Sequence, residues 1–208
     1  MPIVITAQEL IEHNNTKFSI EGFFIDTNIV ILAKDPFSES IFPKNINRFE
    51  SVQIAIELLK SRGFIPYSTL PVILEYFKHI QFNTYTLYLQ KEKYNAKDFK
   101  NKKHNDLMFK EIWENRMKQF KRTFKKTFPL FEANESYQNL LDEFNFVDLD
   151  FGDHLLINIV SKVKQSLKII FSNDIDFYSL SDDYFLITTN KNILNKAKAE
   201  RKLFSQKF

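Results

Sequence analysis

Short blocks of consecutive bulky apolar residues alternate along this chain with longer stretches where apolar residues recur every three or four positions. The blocks at 23–27, 64–67, 168–171 and 184–188 are too short for helices and apolar enough for strands buried on both faces, as in a parallel sheet. A further block at 146–149 reads as a short strand. Between them run helical patterns. Thr6 and Glu9 have capping-box spacing ahead of Leu10 and Ile11, which predicts a helix near 7–13. A loop holding Pro36 and Pro43 leads to a helix over 49–62, carried by Val52, Ala55, Ile56 and Leu59 and stopped by Gly63. Pro71 suits the first turn of a helix whose stripe is Ile73, Leu74, Phe77 and Ile80. Residues 85–128 read as helical, 150–165 as a helix and 191–202 as a basic terminal helix. Strands alternating with helices predict an α/β fold, a three-layer α/β/α sandwich around a mostly parallel sheet. Residues 1–20 form an N-terminal extension, and 21–208 form one domain with a helical basic insertion at about 85–130.

Composition narrows the chemistry. The chain has no cysteine, which removes disulfides, thiolate metal sites and cysteine nucleophiles. No apolar run has the length of a membrane span, and the N-terminus lacks a basic start followed by an apolar core, so the expectation is a cytoplasmic protein without membrane association. Net charge is only +3, but it is unevenly placed: residues 85–130 carry thirteen Lys and Arg against five Asp and Glu. The rest of the chain is therefore acidic. A basic segment on an acidic body is a candidate phosphate-contacting surface, although a solvated helix face has the same composition.

The candidate chemistry lies where apolar blocks end in carboxylates. Phe24-Ile25-Asp26-Thr27-Asn28 closes the first block, and Ser172-Asn173-Asp174-Ile175-Asp176-Phe177 closes a late one. Ligands of open α/β sheets gather at the carboxyl ends of such strands. Glu75 interrupts an apolar helical run, and Asp153 opens the helix carrying Leu155, Leu156, Ile159 and Val160. Each acid has a plain explanation: loop entry for Asp26, a helix edge for Glu75, and helix starts for Asp153, Asp174 and Asp176. Their joint occurrence at the strand ends and helix starts of one sheet points instead to a cation among repelling carboxylates. The four histidines (13, 79, 104 and 154) show no metal-ligand spacing.

In the order and approximate spacing of these blocks the chain resembles the PIN domain nucleases, whose most numerous members are VapC-type toxins. The resemblance spans about residues 20–190 and rests mainly on the Asp-Thr-Asn and Asn-Asp-x-Asp-Phe blocks. It implies a metal-dependent endoribonuclease with Mg2+ or Mn2+ held by Asp26, Glu75, Asp153 and Asp174. Asp176 would orient a metal-bound water or support a ligand, and Thr27, Asn28 and Ser172 would fix the carboxylates by hydrogen bonding. RNA is the implied substrate, with an antitoxin protein and a second copy of the chain as implied partners. The long interval from Glu75 to Asp153 and the first 20 residues depart from the compact toxins.

Lys118, Lys121, Arg122, Lys125 and Lys126 recur at helical spacing beside Trp113, Met117, Phe120 and Phe124, which predicts a packed apolar stripe with an RNA-binding rim of cations. Three other readings compete. A haloacid-dehalogenase-type phosphotransferase requires a second Asp two residues after the first, where this chain has Asn28. A structure-specific DNA nuclease of the flap type shares the sheet and acids but uses a Gly-rich duplex-binding turn, hard to build with three glycines. An inactive PIN-like RNA-binding scaffold would not require a costly cluster of carboxylates.

Overall fold

The computed structural model describes residues 2–17, 19–34, 46–92, 106–132, 151–179 and 184–207. Five strands, β1 (Ile3–Ile5), β2 (Gly22–Ile25), β3 (Ile65–Tyr67), β4 (Ile169–Phe171) and β5 (Phe185–Ile187), form one sheet in the order β1-β5-β4-β2-β3. Every pairing is parallel, with Phe24 opposite both Tyr67 and Ile170 and Phe171 opposite Ile187. β2 and β4 are buried along their whole length, which requires helices on both faces. The architecture is thus the three-layer α/β sandwich expected from the alternation of patterns. The proposed strand at 146–149 lies outside the described residues.

Among the described residues the helices are α1 (Ala7–Lys17), α2 (Thr27–Lys34), α3 (Ile46–Ser61), α4 (Leu70–Glu92), α5 (Leu107–Arg122), α6 (Phe151–Lys162), α7 (Ile175–Ser179), α8 (Lys191–Ala199) and α9 (Phe204–Lys207). The capping box forms as expected: Glu9 N donates to Thr6 Oγ1 (3.2 Å) and Thr6 N to Glu9 Oε2 (2.8 Å). Gly63 ends α3 with φ +88°, a conformation that favours glycine. Pro66 lies in β3 at the edge of the sheet, where its missing N–H removes no interior ladder bond. No helix among the described residues is long and apolar enough to cross a membrane.

Two elements differ from the sequence reading. The first 20 residues, set apart as an extension, supply edge strand β1, whose Val4 and Ile5 are fully buried. The stretch assigned to a loop before residue 49 begins with α2, where Asp26 O accepts from Ile29 N and Val30 N. Ile29, Val30 and Ala33 are buried, and α2 packs on both α3 and α4. A helix covered on several sides shows no polar stripe, so its periodicity is hidden.

The basic insertion begins as a continuation of the helix that carries Glu75, since α4 runs unbroken to Glu92. α5 returns along α4, and a π-helical turn over Thr123–Thr127 follows it. The expected apolar stripe packs. Phe120 stacks on Tyr76 with ring centroids 6.1 Å apart and meets Phe77 edge-on, Phe124 meets Tyr76 edge-on, and Trp113 meets Phe77. Such ring pairs add to area burial. Phe120→Ala should lower unfolding stability by about 2–3 kcal/mol, less than for a fully buried phenylalanine because the ring is half-buried. Urea unfolding of the two proteins, compared at equal m-value, checks this.

Candidate functional site at the carboxyl edge of the sheet

From β2 the chain moves outward to β3, and from β4 it moves the opposite way to β5. The connections leaving β2 and β4 therefore diverge at their carboxyl ends, the position where open α/β sheets form a ligand-binding crevice. Asp26 immediately follows β2 and remains tied to the neighbouring strand, its N–H donating to Phe171 O (3.1 Å). Ser172, Asn173 and Asp174 immediately follow β4. Glu75 comes from the second turn of α4, the helix that follows β3.

The Asp26 carboxylate is 4% exposed. Its Oδ2 accepts from Ser172 Oγ (2.7 Å) and from Asn28 Nδ2, and its Oδ1 from Thr27 N (2.5 Å). Ser172 Oγ in turn accepts from Asp174 N (2.9 Å) and Asn28 Nδ2 (3.2 Å), and Asn28 Oδ1 accepts from Asn173 N (3.3 Å). Thr27 Oγ1 donates to Glu75 Oε2. One hydrogen-bonded chain thus runs from the Asp174 backbone through Ser172 and Asp26 to the Thr27–Glu75 pair. Burial pushes the Asp26 carboxyl up to about 7; the donors Ser172 and Thr27 N oppose this, while the charges of Glu75 and Asp174 raise it further. Residues 49 and 148 positions from Asp26 therefore act on it through space.

The other expected acids fall less centrally. Asp153 is half-buried in the first turn of α6. The preceding residue, Gly152, lies against Glu75: a Cβ on it would sit 2.1 Å from Glu75 Oε1. Asp176 is exposed at the start of α7, where its N–H donates to Asp174 Oδ1 (3.1 Å). This contact is a local turn, so the helix-start reading of Asp174 and Asp176 also describes what the pair does. Among the described residues no three His, Asp or Glu side chains are gathered as a group that could hold a metal ion. The donor chemistry nonetheless suits a hard divalent cation: the coupled groups offer only oxygen, and their mutual repulsion is what such an ion relieves.

A polar lattice missed in the sequence supports the β4 end of the site. Asn173 Oδ1 accepts from Thr188 Oγ1 and Thr189 N (both 2.9 Å), and its Nδ2 donates to Thr189 Oγ1 (3.0 Å). Asn190 Nδ2 donates to Asn173 O (2.9 Å), while Asn190 caps α8 by accepting from Asn192 N (3.0 Å). The signal was the run Thr188-Thr189-Asn190 following an apolar block, a strand end as polar as the one at Asp26.

Lys118, Lys121, Arg122, Lys125 and Lys126 are all exposed. The chain after them returns to the carboxyl end of β3: Ser68 N donates to Pro129 O (2.9 Å), Phe131 N to Ser68 O (2.8 Å), and Phe131 packs on Phe24 and Tyr67. Gln119 Nε2 also donates to Lys34 O at the end of α2 (2.9 Å). The chain leaving the cation-rich end of α5 thus runs to the carboxyl end of β3. No family model, curated protein or solved structure matches the chain.

Proposed function

We propose that the protein is a metal-dependent nuclease that hydrolyses RNA phosphodiester bonds, with PIN-like chemistry at the β2–β4 crevice. The observation that carries this reading is the hydrogen-bonded chain that links Asp26 through Ser172 to the Asp174 backbone and through Thr27 to Glu75, three acids distant in sequence, at the topological switch point of a parallel sheet. Asp26, Glu75 and Asp174, with Asp153, the residue after Gly152 on α6, are the residues that would hold Mg2+ or Mn2+. When bound, such an ion supplies a water made acidic enough to attack near neutral pH and neutralises charge on the phosphate. The chain's own part is orientation. Ser172 and Asn28 fix one oxygen of Asp26, Thr27 fixes Glu75, and the Asn173 lattice fixes the backbone leading to Asp174. Asp176, exposed at the start of α7, would orient an incoming water or support a ligand. The exposed cations of α5 would attract the RNA backbone that the acids alone repel.

A panel of RNAs and DNAs incubated with Mn2+ or with EDTA, with mapping of the cut ends, tests the reading. Cleavage of RNA that EDTA stops is the expected result. The second reading, an RNA-binding scaffold, draws on the fact that hydrogen bonds already satisfy both oxygens of Asp26. It predicts RNA binding, no cleavage, and a melting temperature indifferent to Mn2+.

A further inference from the structure

The chain has three glycines, and one of them occupies the second residue of α6, where glycine weakens a helix relative to alanine. The surroundings of Gly152 supply a reason. An ideal Cβ there would lie 2.1 Å from Glu75 Oε1, 2.8 Å from its Cδ and 3.3 Å from Oε2, so the whole Glu75 carboxylate rests on the bare Cα. The other oxygen of this carboxylate, Oε2, accepts from Thr27 Oγ1. Glu75 is thereby clasped between the turn leaving β2 and the first turn of α6, where the helix dipole favours an anion. We propose that Gly152 is a positioning residue: by lacking a side chain it seats the Glu75 carboxylate between Thr27 and α6, and so brings Glu75 and Asp153 to one edge of the crevice. This inference rests on reading the crevice as a metal centre for its consequence, but not for the seating itself.

The atoms a new Cβ would strike are the tip of a flexible side chain rather than backbone. Gly152→Ala should therefore fold and displace Glu75 instead of displacing α6. The full chain carrying Gly152→Ala should melt, without metal, near the wild-type temperature, since the better helix propensity of alanine offsets the lost Thr27–Glu75 hydrogen bond. The Mn2+ concentration giving half-maximal thermal stabilisation should rise about tenfold or more, the usual effect of disturbing a group that orients metal ligands. Glu75→Gln should produce a comparable rise, and combining it with Gly152→Ala should add little, because both act through one carboxylate.

A metal-free cycle tests the seating separately. Thr27→Val should lower the melting temperature of the wild-type chain and leave that of Gly152→Ala unchanged, while Thr27→Ser, which keeps the hydroxyl, should be mild in both. Equal losses from Thr27→Val in the two backgrounds would overturn the seating. So would a Gly152→Ala chain whose metal-free stability drops while its Mn2+ dose response is unchanged. If the wild type shows no Mn2+ response while the metal-free cycle is coupled, the metal-centre reading fails and the positioning of Glu75 stands.

Discussion

Asp26→Asn should abolish metal-dependent RNA cleavage, a loss of at least about 10³-fold, while raising the thermal stability of the metal-free protein at pH 8. The first effect follows from charge. The amide keeps the shape of the carboxyl but not the anion that would anchor a cation, and a loss of that size corresponds to about 4 kcal/mol of transition-state stabilisation. The second follows from burial. Asp26 is nearly inaccessible, faces the like charges of Glu75 and Asp174, and has its pKa raised from 3.8 to about 7. A carboxyl whose folded pKa exceeds its unfolded value binds its proton more tightly in the folded state. The folded protein is then penalised progressively as pH rises from about 4 to about 7, and the penalty is complete above that. Three pKa units correspond to about 4 kcal/mol at most, partly offset in the variant by donors that lose a charged acceptor. A gain on the order of 5 °C at pH 8, shrinking toward pH 4, is the expected pattern in melting curves taken with EDTA. Wild-type cleavage by the variant with the same metal requirement would refute the mechanism. A lower melting temperature at pH 8 would show instead that the Ser172, Asn28 and Thr27 hydrogen bonds outweigh the repulsion.

What could be read from the sequence divides along a physical line. Elements whose apolar residues face one way, or whose ends carry capping chemistry, were legible. α1 was betrayed by Thr6 and Glu9, the end of α3 by Gly63, and β2 and β4 by unbroken apolar runs ending in acids. β1 was not legible because three residues are too few to display a period; its burial comes from pairing with β5, nearly the whole chain away. α2 was hidden because Ile29 to Ala33 are apolar on nearly every side. In the site, Asp26 with Thr27, Asn28 and Ser172 could be inferred because they flank strand ends, and the structure joins all four by hydrogen bonds. The seating of Glu75 on Gly152 could not, since no local pattern reports that two helices 77 residues apart in sequence touch at one Cα. Asp176 was read from its motif as a supporting residue; its side chain is exposed and its backbone serves a local turn, which no sequence pattern distinguishes from a site role.

Replacing Lys121, Lys125 and Lys126 together by Gln should weaken binding of unrelated RNAs by about two orders of magnitude at 0.1 M salt, and should flatten the salt dependence by about two units of log K per log salt. The structure explains why these cations are available. Phe120 and Phe124 are drawn onto Tyr76, so the opposite face of α5 and its π-helical turn must point to solvent, and Lys121, Lys125 and Lys126 are exposed there. The strand-like return of residues 128–131 onto Ser68 ties the chain that follows these lysines to the carboxyl end of β3, the same edge of the sheet at which Asp26 leaves β2. Each lysine that neutralises a phosphate releases condensed counterion, and for single strands each contributes about 0.7 to the slope. Contacts of this kind carry no sequence information, so the loss should be similar for every RNA tested. Exposed lysines contribute little to folding, so the melting temperature and the Mn2+ response should stay at wild-type values. Filter binding across a salt series on two unrelated RNAs makes the measurement. An unchanged slope would assign this face to solvent or to a protein partner. A loss confined to one RNA would mean that α5 reads bases rather than phosphates.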